Sequence, residues 1–192
     1  MDTDRLLAMT DGVIAIIITI MVLELKVPAG ADLAALAESW PIFLAYVLSF
    51  VYVAIYWNNH HHYFHLVRKV NGAVMWANFH MLFWLSLVPF STAWMGEHGF
   101  APLPTAVYGL SLLMPALAWL VMQRVIFRVQ GPHSPLRDFL GRDLKGIVSP
   151  MLYVGGIGLS FVATWAALLC YAAVALIWLM PDRRIERLAD HG

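Results

Sequence analysis

Charged residues are scarce in this sequence. Asp, Glu, Lys and Arg make up 12% of the 192 residues and hydrophobic residues 61%, whereas a soluble globular domain carries about 25% charged residues. The twelve basic and twelve acidic residues cancel, so no net charge favours a nucleic acid or another polyanionic partner. With a mean hydropathy of +0.72, the composition predicts a protein that works within a lipid bilayer.

Cysteine is almost absent as well. Cys170 is the single cysteine and lies in an apolar run, so an intrachain disulfide is excluded. The first apolar stretch, which starts at Gly12 and runs into Glu24, Lys26 and Pro28, has neither a preceding basic run nor a small-residue cleavage site. We therefore expect this stretch to be a transmembrane helix rather than a cleavable signal peptide.

Long apolar segments separated by charge and proline predict six transmembrane helices. The predicted spans are 11–27, 41–57, 74–94, 105–125, 147–163 and 165–180. A single helix from Ile147 to Met180 would be about 51 Å long, too long for a bilayer core of about 30 Å, so we expect a tight turn near Thr164. The predicted fold class is all-α, a polytopic membrane protein with one domain over residues 1–192.

Basic residues are distributed unevenly between the two sides of the predicted bundle. The side that holds both termini carries eleven of them, and the opposite side carries only Lys26. Since Lys and Arg are retained in cytoplasmic loops, we predict a protein of the cell inner (plasma) membrane with both termini cytoplasmic. The eleven residues are Arg5, Arg68, Lys69, Arg124, Arg128, Arg137, Arg142, Lys145, Arg183, Arg184 and Arg187.

Ionisable residues are missing from the centres of the predicted spans. Asp11 and Glu24 bracket the first span, and the central stretches of the other five contain no Asp, Glu, Lys or Arg. Proton-coupled carriers and pumps use a titratable group near the midplane, and here only His80 could serve. Active transport is therefore disfavoured, although a small secondary transporter or a structural membrane subunit stays open as an alternative.

Five of the eight histidines fall within residues 58–80, at His60, His61, His62, His65 and His80. On a helix, His61 and His65 would share one face, at the spacing of two ligands to one metal ion. However, no second clustered pair on another span offers the opposite side of a bis-histidyl haem. The favoured interpretation is a water-exposed interfacial segment without a metal site. A metal- or haem-binding oxidoreductase that uses His60, His61, His65 and His80 remains the alternative.

The first span carries an apolar stripe at positions i, i+3, i+4 and i+7 of a helix, which share one face. Thr10 and Asp11 stand before the densest part of this run, where they could act as the N-cap and first-turn acid of an ordinary helix. From spacing alone, a packed or lipid-facing helix is the simpler interpretation. The stripe consists of Ile16, Thr19, Ile20 and Leu23.

The same span resembles the first helix of the transmembrane protein 175 family of potassium channels. Members of that family begin it with Arg, three residues and Phe-Ser-Asp, and end it with Leu-Glu. Here Arg5 is followed by Met9-Thr10-Asp11 and later by Leu23-Glu24, so Met9 replaces the aromatic residue and Thr10 keeps the hydroxyl. Further matches follow in order along most of the chain: Trp57-Asn58-Asn59-His60, Asn78, Leu87-Val88-Pro89-Phe90-Ser91-Thr92-Ala93 and Pro181-Asp182-Arg183-Arg184.

The resemblance implies a homotetramer whose four first helices surround a pore. In such a channel Ile16 would form the narrowest hydrophobic ring, and Thr19, Ile20 and Leu23 would line the next turns. The resemblance also implies a polar network that holds the cytoplasmic end of the first helix, made of Arg5, Thr10, Asp11, Trp57, Asn58 and His60. K⁺ would cross passively, without catalytic residues or a cofactor, and the partners would be further copies of the chain, the bilayer and the ion.

Overall fold

The computed structural model describes residues 3–131 and 144–179, and the regular structure in these two ranges is entirely helical. Eight α-helices follow one another there. They are α1 (Thr3–Leu23), α2 (Leu33–Glu38), α3 (Trp40–His65), α4 (Gly72–Leu85), α5 (Val88–Glu97), α6 (Pro102–Gln130), α7 (Leu144–Leu159) and α8 (Thr164–Leu179).

Local sequence explains where several of these helices begin. The side-chain oxygen of Asp32 accepts a hydrogen bond from the Ala35 N–H at 2.8 Å and caps α2. Asn71 caps α4 in the same way, by accepting from the Val74 N–H at 3.1 Å. α6 begins with Pro102, whose missing N–H would have no partner in the first turn in any case.

The second apolar segment forms a longer helix than the predicted span 41–57. α3 continues for eight residues past Trp57 to His65, because no proline or glycine interrupts the sequence between them. The clustered histidines therefore occupy the last two turns of α3. Their burial is uneven, since His60 is only 1% exposed whereas His65 is exposed, so the expected exposure of the whole run does not hold for His60.

The third predicted span, 74–94, is interrupted by a break between α4 and α5. Pro89 stands at the second position of α5 and has no N–H to offer the carbonyl of Leu85, four residues earlier. The backbone forms a tighter turn there, in which the Leu87 N–H donates to the carbonyl of Trp84, three residues earlier, at 3.2 Å. The two helices still run on from one another as an apolar segment of 26 residues, Gly72–Glu97.

The last three helices fill the remainder of the described chain. α6 contains Pro115 and ends where Gly131 adopts a φ of +84°, a conformation that suits glycine. Residues 160–163 separate α7 from α8, and α8 starts at Thr164. The predicted end of the sixth span at Met180 and five of the eleven basic residues lie outside the described residues; the five are Arg137, Arg142, Arg183, Arg184 and Arg187.

Four helical segments in the described ranges are long and apolar enough to cross a bilayer. They are Thr3–Leu23, Trp40–His65, Gly72–Glu97 and Pro102–Gln130. α7 and α8 are apolar too, but each has 16 residues, about 24 Å of helix. The described part of the chain is thus all-helical and contains several candidate membrane spans.

Two hydrophobic cores hold the bundle together, and α6 contributes to both. One core joins α1, α4, the second half of α3 and the second half of α6, and includes Ile14, Met81 and Met122. The other joins α7 and α8 to α3, α5 and the first half of α6, and includes Tyr108 and Tyr171. Because α1 belongs to the first core only, it lies at one side of the bundle.

Hydroxyl groups connect the helices inside the apolar interior. Ser49 on α3 lies 2.7 Å from the Thr92 hydroxyl on α5 and 2.9 Å from the Tyr108 hydroxyl on α6. Ser91 and Ser111 form a second bridge between α5 and α6, with their oxygens 2.7 Å apart. Small hydroxyl residues suit such interfaces in membranes, because they pack closely and satisfy one another's hydrogen bonds.

α5 and α3 approach each other closely at Gly96. A Cβ added to this glycine would lie 2.8 Å from the Ile42 Cα and 3.3 Å from the Ala45 Cβ. The first contact involves backbone, which cannot move aside without displacing the helix. By contrast, a Cβ on Gly155 in α7 would meet nothing within 4 Å.

This difference predicts opposite effects for the same substitution at two glycines. Gly155→Ala should leave the melting temperature unchanged or raise it, because alanine favours helix. Gly96→Ala should overpack the α3–α5 contact at a cost of about 1–3 kcal/mol, and therefore melt roughly 2–12 °C lower than Gly155→Ala. Thermal unfolding in detergent micelles measures both, and equal melting temperatures would contradict the close approach.

Candidate functional site

α1 has two sides that differ in what covers them. One side packs into the bundle through residues buried at regular helical intervals, namely Leu6, Thr10, Ile14, Ile17 and Met21. The opposite side has no covering from the described part of the chain. Because a helix turns about 100° per residue, neighbours in sequence fall on different sides, as Ile16 and Ile17 do with exposures of 59% and 3%.

The four residues of the predicted pore stripe all lie on the uncovered side. Ile16, Ile20 and Leu23 are 59%, 42% and 79% exposed, and Thr19 is exposed between them. The Thr19 hydroxyl donates to the Ile16 carbonyl at 2.8 Å, which satisfies its proton within the helix and leaves the oxygen on the open face. The stripe is therefore an apolar surface with one hydroxyl oxygen, presented away from the bundle.

The packed side of α1 is held by a chain of buried hydrogen bonds that passes through Asn78 of α4. The Asn78 amide donates to the Thr10 hydroxyl at 2.8 Å, and Thr10 donates in turn to the Leu6 carbonyl at 2.9 Å. On its other side, the Asn78 oxygen lies 2.9 Å from Nε2 of His60 on α3. Three helices are thus joined at one asparagine, and Asn78 and Thr10 are completely buried.

These bonds have a defined direction. The Asn78 oxygen can only accept, so Nε2 of His60 must carry a proton. His60 therefore donates to Asn78, Asn78 donates to Thr10, and Thr10 donates to the α1 backbone. The imidazole is also fixed by its neighbours, since it stacks on Phe64 with ring centroids 4.2 Å apart and meets the edge of Trp119 at 6.4 Å.

A second contact between α1 and α3 lies near the first, at the surface. The Trp57 indole N–H donates to Asp11 at 3.0 Å. The Trp57 ring also stacks on His61, with centroids 5.6 Å apart and planes at 22°. His61 in turn lies one helical turn from His65, with the two Nε2 atoms 3.0 Å apart.

Four of the six residues in the implied polar network are thus brought together, and two are not. Thr10 and Asp11 bond α1 to Asn78 of α4 and Trp57 of α3, and His60 reaches α1 through its bond to Asn78. The side chains of Arg5 and Asn58 are exposed and make no hydrogen bond or ion pair with the described residues. Asn78, which is not among the six residues of the implied network, is a further member of the group. Its signal in the sequence is a side-chain amide within an otherwise apolar predicted span.

Thr10 takes a different role from a helix cap. α1 begins at Thr3, two turns earlier, so Thr10 and Asp11 lie within the helix and their side chains point toward α4 and α3. The remaining histidine of the cluster, His80 on α4, accepts from the Trp84 indole at 2.9 Å. Within residues 3–131 and 144–179, no three His, Cys, Asp or Glu side chains come together as a metal site.

Known proteins resemble this chain over nearly its whole length. A potassium channel of Chryseobacterium sp. (strain P1-3) is 52% identical over 187 residues, which covers 97% of each chain. A potassium channel of Streptomyces collinus is 31% identical over 188 residues, 92% of this chain and 91% of the relative. The model of the family described as endosomal/lysosomal potassium channel TMEM175 matches residues 5–89. The chain belongs to the TMEM175 family.

The fold agrees with that membership. The crystal structure of a lysosomal potassium-selective channel TMEM175 homolog from Chamaesiphon minutus superimposes with a TM-score of 0.79 and 29% identity, covering 93% of this chain and 96% of that one. The segment that matches the TMEM175 model, 5–89, contains both the open stripe of α1 and every residue of the hydrogen-bonded group around Asn78. The family's sequence signature therefore coincides with the surroundings of α1.

The Asn78 bonds predict a strong effect at one asparagine and a weak effect at another. Asn78→Ala strands the buried His60 N–H, at a cost of about 1–3 kcal/mol, and should lower the melting temperature by roughly 2–12 °C. Asn58→Ala removes the same group from an exposed site without hydrogen bonds, and should change stability by less than about 0.5 kcal/mol. Thermal unfolding of the two variants in detergent tests this, and similar losses at both sites would refute the role given to Asn78.

Proposed function

We propose that this chain forms a potassium-selective channel that conducts K⁺ passively across the membrane. In this proposal four copies assemble around a central pore, and the open stripe of α1 lines it. The observation that carries the proposal is the division of α1 into a packed side and an uncovered apolar side, with Ile16, Thr19, Ile20 and Leu23 all on the latter. Membership of a family whose relatives are named potassium channels supports the same assignment.

Ile16 is the proposed constriction. A ring of isoleucine side chains offers no oxygen to replace an ion's water, so an ion crosses it only with part of its hydration shell retained. K⁺ gives up water more easily than Na⁺, and this difference favours K⁺ without a carbonyl filter. Such a ring also closes readily by dewetting, which makes it a hydrophobic gate.

The hydrogen-bonded group around Asn78 would then serve the pore indirectly. It bonds to Thr10, six residues before Ile16 on α1, on the packed side of the helix rather than on the side of the stripe. Its proposed role is to fix the rotation and depth of α1, so that the same four side chains face the axis in every copy. None of its members would contact the ion.

The proposed topology has six spans with both termini cytoplasmic, in the cell inner (plasma) membrane. α7 and α8 would supply the fifth and sixth spans, each about 24 Å of described helix against a core of about 30 Å. On this arrangement Arg68, Lys69, Arg124 and Arg128 lie on the cytoplasmic side, which matches the retention of basic residues there. Lys26 lies on the other side, where it pairs with Glu97 at 2.7 Å.

The histidine-based oxidoreductase has less support. Such a protein would need its imidazoles directed at one centre, but His60 bonds to Asn78 and His80 accepts from Trp84. These two side chains are engaged in different contacts from the His61–His65 pair. The family consists of channels rather than enzymes, and the proposed conduction needs no cofactor.

Flux measurements on two adjacent isoleucines test the proposal. Ile16→Asn places polar amides in the dry ring, so K⁺ flux into liposomes should rise and the ratio of K⁺ to Na⁺ flux should fall toward one. Ile17→Asn puts the same amide into the packed side of α1, so it should lower the melting temperature and leave the ratio near its original value. An unchanged ratio in a well-folded Ile16→Asn assembly, or equal changes at both positions, would exclude α1 as the filter.

A further inference from the structure

We propose that His61 and His65 form a binding site for a divalent transition-metal ion, and that an ion bound there strengthens the attachment of α1 through Trp57 and Asp11. The two imidazoles lie at the cytoplasmic end of α3 on the proposed topology, and neither belongs to the pore stripe or to the bonds around Asn78. Metal binding by the pair does not depend on whether the chain conducts ions. Only the consequence of that binding for a channel rests on the proposed function.

The geometry of the pair carries the site. The two Nε2 atoms lie 3.0 Å apart, within hydrogen-bond distance of each other, and the ring planes are nearly perpendicular at 84°. Two metal–nitrogen bonds of about 2.1 Å each can span this separation, so one ion can take the place of the proton between the two nitrogens. Each ring would bind through the Nε2 lone pair and keep its proton on Nδ1.

The ligand type selects a class of ion. Imidazole nitrogens suit Ni²⁺, Cu²⁺ and Zn²⁺ rather than ions that prefer oxygen ligands. The pair supplies two ligands and water the others, and His65 is exposed at the last position of α3, so water can reach the ion.

The connection to α1 runs through one tryptophan. The His61 ring stacks on Trp57, and the Trp57 indole donates to Asp11 of α1 at 3.0 Å. An ion that fixes the His61 ring therefore also fixes the ring on which Trp57 rests. Coupling between two sites is reciprocal, so loss of Trp57 should weaken metal binding as much as the metal strengthens the contact with α1.

The test uses Ni²⁺ on the full-length protein without a polyhistidine tag, with thermal unfolding and titration calorimetry as readouts. At a free Ni²⁺ concentration about 100 times the dissociation constant, the melting temperature should rise by roughly 5–10 °C, and Mg²⁺, which prefers oxygen ligands, should have no such effect. His61→Ala and His65→Ala should each abolish the Ni²⁺ shift, whereas His62→Ala should retain it. A shift that survives loss of His61 or His65, or no shift in the unmodified protein, overturns the site.

Trp57→Leu tests the connection separately. It should weaken Ni²⁺ binding by about fivefold or more, with His61 and His65 intact. Unchanged affinity in this variant would overturn the coupling to α1. Neither readout depends on ion flux, so a failed site and a failed channel assignment give distinguishable results.

Discussion

Asn78 bonds α1 to α3 at a point where all the groups involved are buried, and the rest of the arrangement depends on these bonds. In an apolar interior, the alternative to each bond is an unsatisfied polar group, which costs far more than the bond itself contributes. Turning α1 by one residue would move Thr10 about 100° away from Asn78 and would exchange Ile17 for Ile16 on the packed side. The hydrogen bonds thus specify which side of an otherwise uniform isoleucine-rich helix remains open.

The apolar packing supports the same rotation but defines it less sharply. Ile14, Ile17 and Met21 fill the core that α1 shares with α3, α4 and α6, and several neighbouring side chains on α1 are isoleucines of the same volume. Because replacing one isoleucine by another in the core changes the packing energy little, packing alone discriminates weakly between rotations of α1. A directional bond between an amide and a hydroxyl discriminates strongly, which accounts for polar residues in a helix that would be more hydrophobic without them.

Some of this arrangement could be predicted from the sequence. The period of 3.6 residues placed Ile16, Thr19, Ile20 and Leu23 on one face and Ile17 on another, because helical geometry is fixed once a helix is assumed. The pattern could not tell which face packs, since both are apolar; that required the position of Asn78 on another helix. Only the family resemblance links His60 and Trp57 to α1. Taken alone, the histidine run predicts a water-exposed segment at the membrane interface.

Other features depended on contacts that a linear pattern does not contain. The continuation of α3 to His65 follows from the absence of a breaker, but the change in polarity at Trp57 suggested an earlier end. The break at Ser86 and Leu87 is explained by Pro89, although hydropathy alone predicts one continuous span. Arg5 and Asn58 match the family motif in sequence, yet their side chains are exposed and contribute no bond to the group around Asn78.

Block by Cd²⁺ shows whether the open side of α1 faces a pore shared by several copies. In a Cys170→Ser background, Ile16→Cys would place thiolates from neighbouring copies around one point, and thiolates bind soft metal ions tightly. We expect Cd²⁺ to block K⁺ flux through the Ile16→Cys protein and a chelator to restore it, whereas Ile17→Cys should respond no more than the Cys170→Ser parent. Block at Ile17→Cys with none at Ile16→Cys, or the same response in all three proteins, would contradict this orientation of α1.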